Sequence, residues 1–531
     1  MKLKVLPYLP LFFALLIFIS AMPLFFSTAE FTGDDFYFVV NNPVVTTPGL
    51  SSFANIWLKP MKIEYFPATI TSFALEYRIW GDSVRLYHLT NILIFAGIGF
   101  AAYKLARQLL ARFYPEEPDH GRLAIASLAA TILMLCHPLN VESVASISNR
   151  KELLYVLFGL LSLNFCVLPD RKAKGFAGAL IFLLLAQFSK GTAVILPGLF
   201  WVCELFVLKS QERKKRFILP VIASVISIII FKFQFSVAYR AGVVEKSTDI
   251  DLITRVGGVI RSLNIMLSKF LLPINLSYDY DFAWPKTFPP LSEWLLPSAF
   301  ILIIIFMTIK KKYGFVSVSL MILLTLFPYS NIIPLHHNSE GQIVFYDHYL
   351  LFAIMLTTTL VAMLLMHLRE KAFVWATVSA LTLSILFTGY NYYLFGFWKD
   401  RESLYSRIIQ VTPNLPKGYL FLGKLLNEKG RHVEAATVLA RLFTLDNWFP
   451  VYIEAYKDIG NAYAFSGQLQ EAENSYRLHL KYQPKDRATL QNLSAALLEQ
   501  GKYYEAKVVI LSWLLNYPGD SDAIHNLQLC R

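Results

Sequence analysis

Residues 30–42 read EFTGDDFYFVVNN, where Asp34 and Asp35 are adjacent carboxylates followed at once by aromatic and aliphatic side chains. Further along stand His137 and Glu142, Arg150 to Glu152, Lys190, and His348 beside Asp347, with Glu64, Asp279, Asp281 and Glu340 as more distant company. By type, carboxylates take up protons or cations, and ammonium and guanidinium groups hold anions. Each group also has a plainer use. Asp34 or Asp35 could N-cap a short helix starting near Phe36, His137 before Pro138 could end a helix, and Arg150 with Glu152 could form a solvated face. Lys190 is different: in FSKGTAVILP it sits between two apolar runs with almost no loop, where an ammonium needs an anionic partner such as a phosphate.

The elements that must position these groups are helices in a membrane. The 531-residue chain is 55% hydrophobic and only 16% charged, and its mean hydropathy of +0.47 is too high for a soluble multidomain protein. Its net charge of +12 reads as basic cytoplasmic loops, not as nucleic-acid binding. The four cysteines have no paired spacing and suggest neither a zinc site nor a disulfide framework. Eleven apolar stretches approach the length that crosses a bilayer, near residues 5–27, 84–105, 122–138, 152–168, 174–189, 191–208, 216–235, 291–309, 314–331, 347–367 and 372–396. The first is longer than a signal-peptide core and reads as an uncleaved anchor, despite small residues at Ser27 and Ala29.

Basic residues place one face of these helices in the cytoplasm: Lys2, Lys4, Lys104, Arg107, Arg112 and Arg122, then DRKAK, KSQERKK, KKK and LREK. Residues 28–83, the turns around 139–151 and 189–191, residues 236–290 and 332–346, and everything after 397 then lie outside. The ionisable groups collect at the outer ends of the helices, as for a site open to both lipid and the outer compartment. A transporter would instead bury coupling carboxylates near the midplane on broken, repeated helices. IEYFPATITSFALEYRIW and ITRVGGVIRSLNIMLSKFLLP carry charges that suit amphipathic helices lying in the outer interface.

After Trp398 the composition changes. Gly430, Gly467 and Gly501, each followed by a Glu-Ala pair (Glu434-Ala435, Glu471-Ala472, Glu505-Ala506), are spaced 37 and 34 residues, and Pro450, Pro484 and Pro518 are spaced 34 and 34. That period, with small residues where helices touch, is the tetratricopeptide pattern, which stacks into a solenoid with a concave surface for a peptide or partner. The expected fold is all-α: a polytopic domain over residues 1–397, with a first outer loop at 28–83, and an outer repeat domain over 398–531.

Several blocks carry a family resemblance: GDDFYFVVNNPVV, YFPATITSFALEYRIWGDSVRLYHLTNILI, HPLNVESVASISNRKELLYVLFGLLSL, LPINLSYDY, and PYSNIIP followed by YDHYLLF. In this order, and leading into the repeats, they resemble the transmembrane-and-tetratricopeptide O-mannosyltransferases, members of the GT-C glycosyltransferases. The resemblance implies transfer of a hexose, such as mannose, from a polyprenyl-phosphate donor to a hydroxyl, with protein Ser or Thr favoured as acceptor. It implies Asp34 or Asp35 as the base, and the reaction it implies needs cations at the leaving phosphate, for which Arg150, Lys190 and His348 are the candidates ahead of Lys151, with Glu142 and His137 as groups for the acceptor or a metal. A divalent cation is possible but not required. The family's acidic-arginine pair is here Asp347-His348, and its Gly-Arg-Ala-Asp turn is here Ser148-Asn149-Arg150-Lys151-Glu152. The expected partners are the lipid-linked donor, a protein or peptide acceptor held by the repeats, and membrane lipids. Scarce cysteines and compact loops suit a bacterial inner membrane with periplasmic repeats; Asn-Leu-Ser sequons at Asn275 and Asn492 suit the alternative, an endoplasmic reticulum membrane with luminal repeats. A membrane scaffold and a transporter of lipid-linked sugar are the competing functions.

Overall fold

The computed structural model describes residues 8–26, 30–47, 49–61, 64–117, 120–168, 173–208, 217–242, 252–280, 282, 284, 289–332, 343, 345–445 and 453–530. Lys2, Lys4, Ser27, Ala29, Asp281, Glu340 and Pro450, and most of the DRKAK and KSQERKK clusters, lie outside the described residues. The chain divides into two compact units, one of residues up to Tyr278 and from Phe282 to Asp400, the other from Arg401 onward together with Asp279.

The first unit is all helix among the described residues. Long runs of Leu, Ile, Phe and Val favour helices because, away from water, a helix satisfies its backbone groups within itself. Each of the eleven expected stretches falls on helix. Among the described residues, five helices are long and apolar enough to cross a membrane: Val84–Phe113, Ile218–Arg240, Leu291–Ile309, Asp347–Met366 and Glu370–Trp398. Five more are apolar but shorter: Leu9–Ala21, His120–Leu135, Ala173–Ser189, Gly191–Val207 and Tyr313–Tyr329. The eleventh, Arg150–Cys166, begins with three charged residues. Among the described residues, five of the eleven expected stretches thus meet the length and composition of a span in one regular helix, and polar breaks such as Cys136 to Pro138 and Ser189 to Gly191 shorten the regular helix in others.

Helix Arg150–Cys166 packs against Ala173–Ser189 and Val84–Phe113, and Leu351–Met366 packs against His120–Leu135. Large apolar rings fill the seams, with Tyr155 and Phe352 meeting edge to face at 5.3 Å. Helix Pro67–Trp80 departs from the expected interface helix. It buries Ile70, Phe73 and Ala74 together with Glu76, so a carboxylate points into protein where an interfacial helix would point it to water. Leu252–Leu271 is a continuous helix whose Arg261 pairs with Glu293 at 2.8 Å.

The second unit is a run of antiparallel helix pairs: Pro416–Glu428 with His432–Ala440, Glu454–Phe465 with Leu469–Tyr482, and Arg487–Glu499 with Tyr503–Asn516, closed by Ser521–Gln528. Gly430, Gly467 and Gly501 end the first helix of each pair at φ near +75°, a conformation that favours glycine. Ala435, Ala472 and Ala506 are fully buried at the helix crossings. Asp279 joins this unit through an ion pair with Lys417.

Candidate active site

Gly33 sets up the acidic pair. Its φ of +48° turns the chain, and a β-carbon there would collide with the Tyr278 hydroxyl. The short helix expected near Phe36 is present, as a wide turn in which the Asn41 N–H donates to the Phe36 carbonyl at 2.7 Å. Asp35 does not cap it. The Asp35 carboxylate is 1% exposed and reaches elsewhere. Oδ2 accepts from the Thr32 N–H at 3.0 Å and the Thr32 hydroxyl at 3.3 Å, and Oδ1 accepts from the Ser148 N–H at 2.7 Å. Burial pushes its pKa up to about 6, against the hydrogen bonds from Thr32 and Ser148, which lower it. Asp34 points the other way. It is exposed, and its carboxylate has no hydrogen-bond or ion-pair partner among the described residues.

The Ser146 to Ser148 turn that holds Asp35 is itself anchored from below. Asn91 Nδ2 donates to the carbonyls of Val144 and Ser146 at 3.2 and 3.1 Å. Asn91 Oδ1 accepts from Arg150 Nε at 2.8 Å, Arg150 Nη2 donates to the Tyr87 carbonyl at 3.0 Å, and Nη1 pairs with the Glu76 carboxylate. Arg150 is 0% exposed. This corrects two expectations: Arg150 faces neither solvent nor a donor phosphate, because its guanidinium is consumed inside the protein. His137 is likewise turned away. Its ring stacks on Phe270 at 5.1 Å, Nε2 donates to the Phe270 carbonyl at 2.9 Å, and Nδ1 accepts from the Leu139 N–H at 3.4 Å, so neither nitrogen is left for an acceptor or metal.

Three pairs lie in the neighbourhood whose charges Asp34 shares. Glu142 and His348, assigned separate roles from sequence, bind each other: Glu142 Oε1 lies 2.7 Å from His348 Nδ1, and Oε2 accepts from the His348 N–H at 3.1 Å. The ring's Nε2 has no partner among the described residues. Lys190, held extended at the break after Ser189, pairs with buried Glu152 and lies over the rings of Tyr329 and Tyr349 at 5.2 and 5.4 Å. Its anionic partner in this state is a protein carboxylate. Lys151 stands over the Phe38 ring at 4.6 Å, and its ammonium is 3.9 Å from Glu64 Oε1. Burial raises the Glu64 pKa, opposed by Lys151. The charges of Lys190, Glu152, Lys151 and Asp34 all act on His348, so these groups share one neighbourhood.

Sequence reasoning missed Thr32, Ser148 and Asn91 because an uncharged residue that orients a carboxylate carries no signal of its own. Among the described residues, no three His, Cys, Asp or Glu side chains gather as a metal site. The Glu142 and His348 pair supplies two such groups.

No known family profile matches the chain. A Caenorhabditis elegans protein is 26% identical over 421 residues, covering 76% of this chain and 58% of that protein. Human TMTC4 is 30% identical over 136 residues, covering 25% of this chain and 18% of its own, and human TMTC3 is 29% identical over 190 residues, covering 33% and 20%. All three relatives are named protein O-mannosyl-transferases. The resemblance carried by the sequence blocks leads to the same name. The chain spans about three fifths of the nematode transferase's length. These transferases are animal proteins and lend nothing to the bacterial inner membrane expected above. Among solved structures, a crystal structure of the APC/C hetero-tetramer Cut9-Hcn1 aligns over 87% of this chain and 89% of its own at 13% identity and a TM-score of 0.25, too low to bear on the fold.

Proposed function

We propose that the chain is an integral-membrane glycosyltransferase that moves a hexose, mannose by the names of its relatives, from a polyprenyl phosphate to a protein Ser or Thr hydroxyl on the outer face. One observation carries this reading: of two adjacent carboxylates, Asp35 is buried and bound by Thr32 and Ser148, which leaves Asp34 exposed and without a partner among the described residues. A base needs an open carboxylate within reach of the acceptor and a neighbour that fixes its position. In the proposed step the acceptor oxygen bonds to the anomeric carbon and its proton passes to Asp34. The bond from that carbon to the phosphate oxygen breaks, and the lipid phosphate leaves with the electron pair.

Lys190 and Lys151 are the cations that would neutralise the departing phosphate. His348, oriented by Glu142, offers Nε2 to it. Arg150 has no part at the reacting atoms; it holds the turn on which Asp35 depends. A divalent cation is not required, since the donor carries a single phosphate with two ammonium groups beside it. The helix-pair unit is proposed to hold the polypeptide acceptor. The host membrane is the bacterial inner membrane or the endoplasmic reticulum, and the chemistry is the same in both.

The test is to supply isolated membranes with radiolabelled polyprenyl-phosphate mannose and separate protein, lipid and glycan products. Label in protein, released by β-elimination, supports the assignment. Label confined to lipid or glycan overturns the acceptor, and donor that crosses the membrane without transfer favours a transporter.

A further inference from the structure

Gln234 is a buried amide in the apolar helix Ile218–Arg240, between Phe233 and Phe235, whose rings are exposed. An amide taken from water is costly unless its hydrogen bonds are met. Here they are: Nε2 donates to the Gln187 carbonyl at 2.8 Å and to the Tyr65 carbonyl at 3.1 Å, and Oε1 accepts from Gln187 Nε2 at 3.2 Å. Gln187 Nε2 in turn donates to the Gly191 carbonyl at 3.4 Å. From the other side the Thr69 hydroxyl donates to the Ser189 carbonyl at 3.0 Å. Ser189 and Gly191 are the two neighbours of Lys190, which is extended at φ −157° and ψ 137° where helix Ala173–Ser189 stops. Glu64, next to Tyr65, pairs with Lys151.

We propose that Gln234 and Thr69 are positioning residues for Lys190: they fix the break from which its ammonium projects and tie that break to the first outer loop, which also carries Asp34. The inference rests on the transferase reading for the phosphate that Lys190 would meet. A glutamine between two apolar helices could serve only to join them. Two features point further. The bonds converge on a stretch where the backbone leaves the helix, and two of the groups that make them, the Thr69 hydroxyl and the Tyr65 carbonyl, lie in the first loop. A residue outside regular helix keeps its direction only while its neighbours are held. Freeing either neighbouring carbonyl lets the Lys190 ammonium swing away from Glu152 and from the place of the leaving phosphate.

The test uses the purified full chain in nanodiscs, with Gln234→Leu and Thr69→Val, two shape-conserving changes on opposite sides of the break, each alone and combined with Lys190→Ala. Two readouts are taken: donor KM for hexose transfer, and the rate at which Lys190 is acetylated by N-hydroxysuccinimidyl acetate, read by peptide mass spectrometry against the other lysines. Loss of a buried hydrogen bond that acts through Lys190 predicts a donor KM raised about fivefold in either variant, with no further rise where Lys190 is already alanine. Acetylation of Lys190 becomes severalfold faster while the other lysines keep their rates. An unchanged KM, a KM raised by the same factor with and without Lys190, or a Lys190 acetylation rate that stays at the wild-type value in both variants overturns the proposal and leaves Gln234 as a joint between helices. If Gln234→Leu fails to fold, Thr69→Val decides by the same criteria. A wild-type chain that transfers nothing, while both variants unmask Lys190, keeps the positioning role and sinks the transferase reading.

Discussion

Replacing Arg150 separates a structural arginine from a phosphate ligand. Arg150 is fully buried, with hydrogen bonds to Asn91 Oδ1 and the Tyr87 carbonyl in addition to its ion pair with Glu76. Arg150→Met leaves the Glu76 carboxylate buried and uncompensated, and breaking a buried pair from one side costs about 3–5 kcal/mol. Glu76→Gln strands the guanidinium in the same way but keeps a hydrogen-bonding oxygen, so its cost lies at or below the lower end of that range, about 3 kcal/mol. The double variant removes both charges and should cost less than the sum of the singles by roughly 2 kcal/mol or more. Thermal unfolding of the purified chain in detergent, followed as loss of monodisperse protein, reads the stability, and donor KM is measured on the folded fraction. The account predicts non-additive stability losses and a donor KM changed little in the folded fraction of the double variant. Additive losses, or an Arg150→Met chain of wild-type stability whose donor KM rises tenfold, would refute a structural role and return Arg150 to the phosphate.

Other expectations follow from the same geometry. Asp35, pushed up from 3.8 to about 6 by burial, keeps its proton in the folded chain over a range where the unfolded chain has released it. Stability should therefore fall by ~3 kcal/mol as pH rises from about 4 to about 6, and Asp35→Asn should flatten that slope in pH-dependent unfolding. Gly33→Ala meets both a positive φ and the Tyr278 hydroxyl, so it should lose about 1–2 kcal/mol from the backbone alone. Activity should fall with it as the acidic pair is displaced; an alanine variant of wild-type stability and rate would contradict this. Glu152→Gln removes the carboxylate that competes for Lys190, and because both partners are buried the coupling exceeds that of an exposed pair, which predicts a donor KM lower by roughly tenfold or more. A higher KM would mean that Glu152 positions Lys190 for the phosphate.

Much of the architecture was legible because it rests on local pattern. Apolar runs foretell helices, the spacing of Gly430, Gly467 and Gly501 foretells the helix pairs, and the lack of loop around Lys190 foretells a demand for an anion. The partners were not legible. Asp35 is 113 residues from Ser148, Arg150 is 74 from Glu76, and Glu142 is 206 from His348. Nothing in a residue's type says which distant group will satisfy it. Thus Asp34 and Asp35 looked equivalent in the chain, and only folding tells them apart: one is consumed by Thr32 and Ser148, the other is left open. Arg150 and His137 were misplaced for the same reason, each finding its partners inside the protein.

The most direct test of the central claim is the rate of hexose transfer by purified Asp34→Asn, beside wild type and Asp35→Asn at equal folded concentration. The account predicts that Asp34→Asn keeps wild-type unfolding behaviour and donor KM while kcat drops by about a hundredfold or more, as removal of a general base requires. Asp35→Asn should retain more activity, with its rate recovering when the Ser148 turn is stabilised by low temperature. An Asp34→Asn chain that transfers hexose at the wild-type rate would contradict the account.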